Sequence, residues 1–310
     1  TITITMENIL SDVKIRRKPE FETVRYNTKL SFIPSERNLV SVIKNIDQSY
    51  RSAENDVLFN YIFEWGEAKD SYTVEHPKRL SFTDNIEYIN DGGNDLIRLI
   101  GEDKMIPAYY ASSGVQSAMP LDVMADYFTN LVGKNASVSK HDLANTLARY
   151  LGKDKELTNE MLKSISNKMK YQSVQLFIEE PEQNLYPDSQ RNLTINLVCA
   201  LKKAIPKGRE DSMLVMTTHS PYILSTLNVL IAEAYAMETM PKSDKLQNIV
   251  NKTCLFPSSA YSAYYIQEDG KFEDIIDKDI TMISGNELDG VSDWVDDRIA
   301  RISEVLYRED

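Results

Sequence analysis

Two acids at the end of an apolar run, Leu176-Phe177-Ile178-Glu179-Glu180-Pro181-Glu182, are the residues of this chain best placed to do chemistry. The run Val174–Ile178 carries no turn residue and reads as a buried parallel strand. In an open parallel sheet, ligands bind outside the carboxyl ends of the strands. Glu179 and Glu180 would stand at that edge and point to different sides, because neighbouring residues of a strand alternate. One carboxylate can then hold a hydrated Mg²⁺ while the other faces a water. Two adjacent acids repel each other unless a cation or a shared proton relieves them. The bland alternative is a strand running into an acidic surface loop.

A second apolar run, Met213–Thr217, ends in the polar cluster Thr217-Thr218-His219-Ser220 before Pro221. A lone histidine at such a place is more often a satisfied structural residue. Beside an acidic strand end, His219 becomes a sensor for a phosphate or a polarised water. A third group, Ser112-Ser113-Gly114-Val115-Gln116, precedes a helix. A serine hydroxyl, a glycine N–H and a helix N-terminus together make an anion site, although the same residues in isolation are usually a helix cap.

The elements that must position these groups follow from periodicity. Residues 189–204 form an amphipathic helix and 221–236 another, each after one of the two apolar strands. This strand–helix–strand–helix order predicts an α/β fold with a parallel sheet and right-handed crossovers. Antiparallel β pieces are expected elsewhere. Residues 1–5 alternate Thr and Ile, and strand-like stretches follow at 23–33, Tyr72–Val74 and Met105–Tyr110, with a turn at Asp91-Gly92-Gly93-Asn94. A hairpin joins Tyr261–Gln267 to Phe272–Ile276 around Glu268-Asp269-Gly270. Segment 39–64 reads as helical from Leu39, Ile43, Ile46 and Tyr50, and 115–170 as mostly helical, with breaks near Gly133–Ser137 and Gly152–Asp154. A terminal helix is expected over 291–307.

Composition narrows the classes. With 35 Lys and Arg against 47 Asp and Glu, a surface coated in cations for nucleic acid is excluded, though a local basic patch is not. Cys199 and Cys254 have no metal-type or CxxC spacing, and Cys199 lies in an apolar run that predicts a buried thiol. No apolar run reaches the roughly 18 residues of a membrane span and no secretory signal is visible, so a cytoplasmic protein with no membrane partner is the default expectation.

Leu176–Pro187, together with Thr217-Thr218-His219-Ser220-Pro221-Tyr222, resembles the second half of an ABC-type ATPase head, as found in the stand-alone ATPases grouped with the OLD and SMC families. The resemblance implies a P-loop NTPase fold, with a parallel sheet core, a helical subdomain and antiparallel β pieces. It assigns Glu179 to Mg²⁺, Glu180 to the general base that polarises the attacking water, and His219 to the switch histidine that contacts the γ-phosphate. Asn184–Pro187 match the D-loop, which crosses a dimer interface. Ser113, Gly114 and Gln116 match the signature motif that closes on ATP bound to the opposite subunit, with Val115 in place of its second glycine. Glu179 stands where most transporters have Asp, which lengthens the reach to the metal. Ile33-Pro34-Ser35-Glu36-Arg37 also resembles a segment common in this group, with no role attached to Arg37.

A phosphate-cradling loop requires GxxxxGK[ST]. The Gly-Lys pairs at 133–134, 152–153 and 270–271 are each followed by a residue other than Ser or Thr, so this sequence holds no such loop. The resemblance places that loop ahead of every motif matched here, so the chain reads as lacking the lobe that carries it. Expected units are the remainder of a β-rich lobe over 1–110, a signature-motif helical subdomain over 111–172 and a C-terminal ATPase lobe over 173–310. The function implied is ATP hydrolysis with Mg²⁺ by a head-to-head homodimer, coupled to a DNA-related or defence process, with DNA or a separate nuclease or effector subunit as partner. The alternative is a nucleotide-sensing or scaffolding module that does not hydrolyse and works through a separate effector. A metal-dependent nuclease is disfavoured because no second acid cluster accompanies Glu179 and Glu180.

Overall fold

Apolar segments become two sheets and a set of helices that share one core. The computed structural model describes residues 3–5, 14–16, 28–43, 57–134, 171–205, 212–277, 281–285, 295 and 297–301. In chain order, β1 (Thr3–Thr5) pairs antiparallel with β2 (Lys14–Arg16), and β3 (Thr28–Ile33) runs into a short 3-10 turn, Ser35–Asn38. Helices α1 (Leu39–Val42) and α2 (Val57–Lys69) follow. Then come β4 (Lys78–Arg79), β5 (Ile86–Asp91), β6 (Asn94–Leu99) and β7 (Met105–Pro107), hydrogen-bonded in that order as an antiparallel sheet. Long helix α3 (Ser113–Leu131) precedes β8 (Ser173–Glu179), α4 (Pro187–Ala204), β9 (Met213–Thr217) and α5 (Pro221–Thr239). Short α6 (Asp244–Ile249), the hairpin β10 (Tyr264–Ile266)–β11 (Phe272–Asp274) and the pair β12 (Ile276–Asp277)–β13 (Met282–Ile283) complete the described elements.

The expected parallel sheet is present, in the order β3-β8-β9, with Ile33 opposite Ile178 and Ile178 opposite Met216. Period-2 alternation sends Val174, Leu176 and Ile178 to one face, where they are buried with Ile33, Leu193 and Leu197 in the main core. Burying each such side chain contributes about 1.5–3 kcal/mol. On the other face of β8, Ser173 is buried while Gln175, Phe177 and Glu179 are only half-buried. No described helix is long and apolar enough to cross a membrane.

Several sequence expectations hold in detail. Gly92 and Gly93 take φ of 57° and 87° between β5 and β6, the left-handed pair that a two-residue hairpin turn requires. The Asp269-Gly270 hairpin also forms. Others change. Tyr72–Val74 is irregular, not a strand. Its backbone accepts a bond from Asn90 N at 2.6 Å, while the Tyr72 hydroxyl donates to Asp126 at 2.8 Å and its ring packs edge-on to Tyr88. The strand expected over Met105–Tyr110 stops at Pro107 and becomes a 3-10 turn, since proline offers no N–H to extend a ladder. Among the described residues, segment 39–64 is helical over Leu39–Val42 and from Val57 onward; residues 44–56, with Ile46 and Tyr50, lie outside them. So do 135–170, including the break at Gly152–Asp154, and much of the expected terminal helix. Cys199 is not a free thiol: it is joined to Cys254, 55 residues away, because the fold lays the 3-10 turn Lys252–Cys254 against α4.

Helix α3, which begins at the serine–glycine motif, is held by a buried polar junction. Asp122 is fully buried, accepts from Ser81 N at 2.5 Å and Asn196 Nδ2 at 3.1 Å, and lies 3.5 Å from Lys78 Nζ. It thereby ties α3 to the antiparallel sheet and to α4. Burial pushes its carboxyl above the ordinary carboxylate range, while Lys78 and the Ser81 N–H pull it back. A raised folded-state value means that the group's stabilising contribution is fully present below its unfolded value, about 3.9, and is lost as pH rises through the folded value. Asp122→Asn removes that loss. The stability difference between variant and native chain is therefore expected to shift in the variant's favour between about pH 4 and pH 7. Urea unfolding at both pH values checks this, and a flat or opposite trend refutes it.

Candidate functional site

The parallel sheet delivers the two acids to its carboxyl edge. Glu179 is the last residue of β8 and pairs with Thr217, the last residue of β9. Its Oε2 accepts from the backbone N–H of Ser35 at 3.2 Å, at the turn that ends β3. Glu180 leaves the strand with φ of 41°, and its N–H donates to Thr217 O at 2.9 Å. A left-handed glutamate costs on the order of 1–3 kcal/mol and persists only where its surroundings over-determine it. Buried Pro181 follows at once, so the chain turns away from the sheet there.

What over-determines this corner is Arg37. Its side chain is fully buried. Nη1 donates to Glu179 O at 2.7 Å and to Pro34 O at 3.2 Å, Nη2 to Glu180 O at 2.7 Å, and Nε to Ser117 O on α3 at 2.8 Å. Tyr61 on α2 donates in turn to Arg37 O at 2.7 Å. Burial lowers the arginine's pKa from its ordinary value, while Tyr61, Glu182, Glu180 and Glu179 act to raise it. The sequence singles out this segment without a role for Arg37, because acceptors 80 to 143 residues away leave no trace in local spacing.

The serine–glycine motif and the loop after the acids meet in the same chain. Ser112 caps α3, its Oγ accepting from Val115 N at 3.4 Å, and Ser113 is exposed in the first turn. Asn184, in the left-handed region at φ 60°, donates from Nδ2 to Ser117 Oγ at 2.8 Å. Its carbonyl oxygen lies 2.7 Å from where a Cβ on Gly114 would stand. Only glycine allows this approach. The Gln116 amide donates to Tyr109 O and Ala111 O and so closes the turn before the helix. Inside α3, Pro120 has no N–H for the carbonyl of Gln116, and Ser41 Oγ supplies that bond at 2.8 Å.

His219 follows β9 with its side chain exposed, and its N–H donates to Glu182 Oε1 at 2.8 Å. Next to it, Ser220 caps α5 and donates from Oγ to Gln190 Oε1 at 2.5 Å, while Gln190 Nε2 donates to Leu185 O. The structure thus brings Glu179, Glu180 and the His219 backbone to one sheet edge, and Ser113, Gly114 and Asn184 to an adjoining corner, with Ser117 and Arg37 between them. Among the described residues no group of three or more His, Cys, Asp or Glu could hold a metal by itself. The carboxylates of Glu179 and Glu180 at the strand end are of the kind Mg²⁺ takes, since that ion is usually bound by one or two carboxylates and completed by water and phosphate oxygens.

A family model described as AAA ATPase domain matches residues 6–224. That span contains every site residue named above. No curated protein and no solved structure matches the chain.

Gly114→Ala places a methyl group against the Asn184 carbonyl and is expected to cost about 1–3 kcal/mol as the loop shifts. Thermal unfolding combined with amide exchange over 182–186 checks it. An unchanged melting temperature with unchanged exchange would mean that the close approach does not exist.

Proposed function

The chain belongs to the AAA ATPase domain family, and from that premise we propose that it forms the catalytic half of an ABC-type ATP hydrolase that works as a head-to-head dimer. The observation that carries this reading is the corner at Glu179–Glu180. One carboxylate is oriented by a backbone N–H, and the next residue is turned out of the strand in a strained conformation, while Glu182 two residues on holds the backbone N–H of His219. Strain of this kind clusters at functional sites.

In this reading Glu179 holds Mg²⁺, which when bound supplies positive charge against the phosphate oxygens. Glu180 accepts the proton of the attacking water, and His219 presents its imidazole to the terminal phosphate. Catalysis is then mostly positioning and electrostatic stabilisation, as is general for phosphoryl transfer. The exposed Ser113 and Asn184 lie together at the corner beside Gly114, which supports their meeting a nucleotide held by a second copy. The Gln116 amide, bonded to its own turn, supports that surface from behind. The pattern GxxxxGK[ST] that a phosphate-cradling loop requires does not occur in this sequence. A cytoplasmic location goes with this reading.

Glu180→Gln in the full-length protein is expected to lower Mg²⁺-dependent ATP turnover by about 100- to 10,000-fold while ATP still binds. Phosphate release and nucleotide-binding assays on the native and variant proteins check it. Unchanged turnover in the variant sinks the general-base role. A native protein that binds ATP and dimerises without turnover would favour the scaffold instead.

A further inference from the structure

The bonds of Arg37 fall in a pattern that stability alone does not require. Nη1 holds the carbonyl of Glu179, whose peptide plane fixes the φ side of Glu180, and Nη2 holds the carbonyl of Glu180, whose plane fixes the ψ side. One planar guanidinium therefore grips both peptide units flanking the strained residue at φ 41°. Its remaining edge, Nε, is bonded to Ser117 O, one turn into the helix that begins at Ser113. Ser117 is bonded a second time, through Oγ, to Asn184. The helix that presents the serine–glycine corner and the backbone that aims Glu180 are thus joined through one rigid, fully buried group. A guanidinium cannot lengthen to let one partner move alone. In a packed interior, a small displacement passes on as a discrete shift rather than being absorbed.

We propose that Arg37 is a positioning residue that couples the Ser113–Ser117 helix turn to the orientation of Glu180, so that occupation of the serine–glycine corner by one nucleotide sets the general base for another. The inference rests on the ATPase reading above and deepens it. It makes hydrolysis in one site conditional on closure at the other corner of the same chain. Tyr61, by bonding Arg37 O, anchors the coupler to α2.

The test compares native, Glu180→Gln, Arg37→Lys and Tyr61→Phe forms of the full-length protein. Lysine keeps the charge but offers one nitrogen in place of a fork, so Arg37→Lys is expected to lose about 100-fold in kcat with KM for ATP nearly unchanged. Without nucleotide, amide exchange in Arg37→Lys is expected to rise in both 112–120 and 176–184. Native-like kcat in folded Arg37→Lys, or faster exchange in only one of the two segments, overturns the coupling. If Arg37→Lys does not fold, Tyr61→Phe decides: kcat reduced several-fold at unchanged KM supports the coupler, and native kcat overturns it. Absence of turnover in the native protein, or its survival in Glu180→Gln, defeats the ATPase reading instead. The nucleotide-free exchange result then still decides whether the two segments are mechanically joined.

Discussion

A fully buried guanidinium that, among the described residues, has no carboxylate in direct contact is the constraint around which this structure is arranged. Burying a charge costs several kcal/mol unless hydrogen bonds replace its water. Arg37 meets that cost with backbone carbonyls from its own turn, from α3 and from both acids at the end of β8. Strand ends leave carbonyls in need of donors, and Ser117 O on α3 takes Nε as a donor at 2.8 Å. Nearby acids, Glu182, Glu180 and Glu179 among them, add a favourable field. Removing the arginine would orphan several carbonyls at once, which is costlier than losing any one bond.

Around this centre, each loop at the carboxyl edge is secured by a polar contact to another loop. Glu182 receives the His219 N–H, Gln190 joins Ser220 to Leu185, and Asn184 reaches Ser117. Buried polar groups of this kind are tolerable when satisfied and rigidify the region that they span. Among the described residues, Glu182 Oε2 and Gln183 Oε1 are buried acceptors without a partner, and both lie in the loop that follows the acids. The site is therefore stiff along its backbone, while Ser113, Asn184 and His219 remain exposed at its rim.

Much of this is legible in the chain's local patterns, and for identifiable reasons. Val174–Ile178 and Met213–Thr217 are short, apolar and free of turn residues, so their strands and their carboxyl ends follow from patterning. Pro187 and Pro221 sit in the first turns of α4 and α5, where proline favours a helix start. The Gly92-Gly93 turn follows from the demand for positive φ. Tyr72–Val74 misleads because an aromatic and β-branched triplet carries the same local signal whether it joins a ladder or packs its ring into a core. No local rule reveals that the Gln116 amide bonds the carbonyls of Tyr109 and Ala111.

By itself, then, the sequence determined which residues could carry chemistry and that they would stand at strand ends, because strand periodicity and turn chemistry act over a few residues. Tertiary structure alone decided what holds them. The partners of Arg37, the Gly114–Asn184 approach and the Cys199–Cys254 pairing join segments 55 to 143 residues apart. Those pairings are chosen by where the packed core brings carbonyls and donors together, and that choice is made by close packing in three dimensions, to which local spacing is blind.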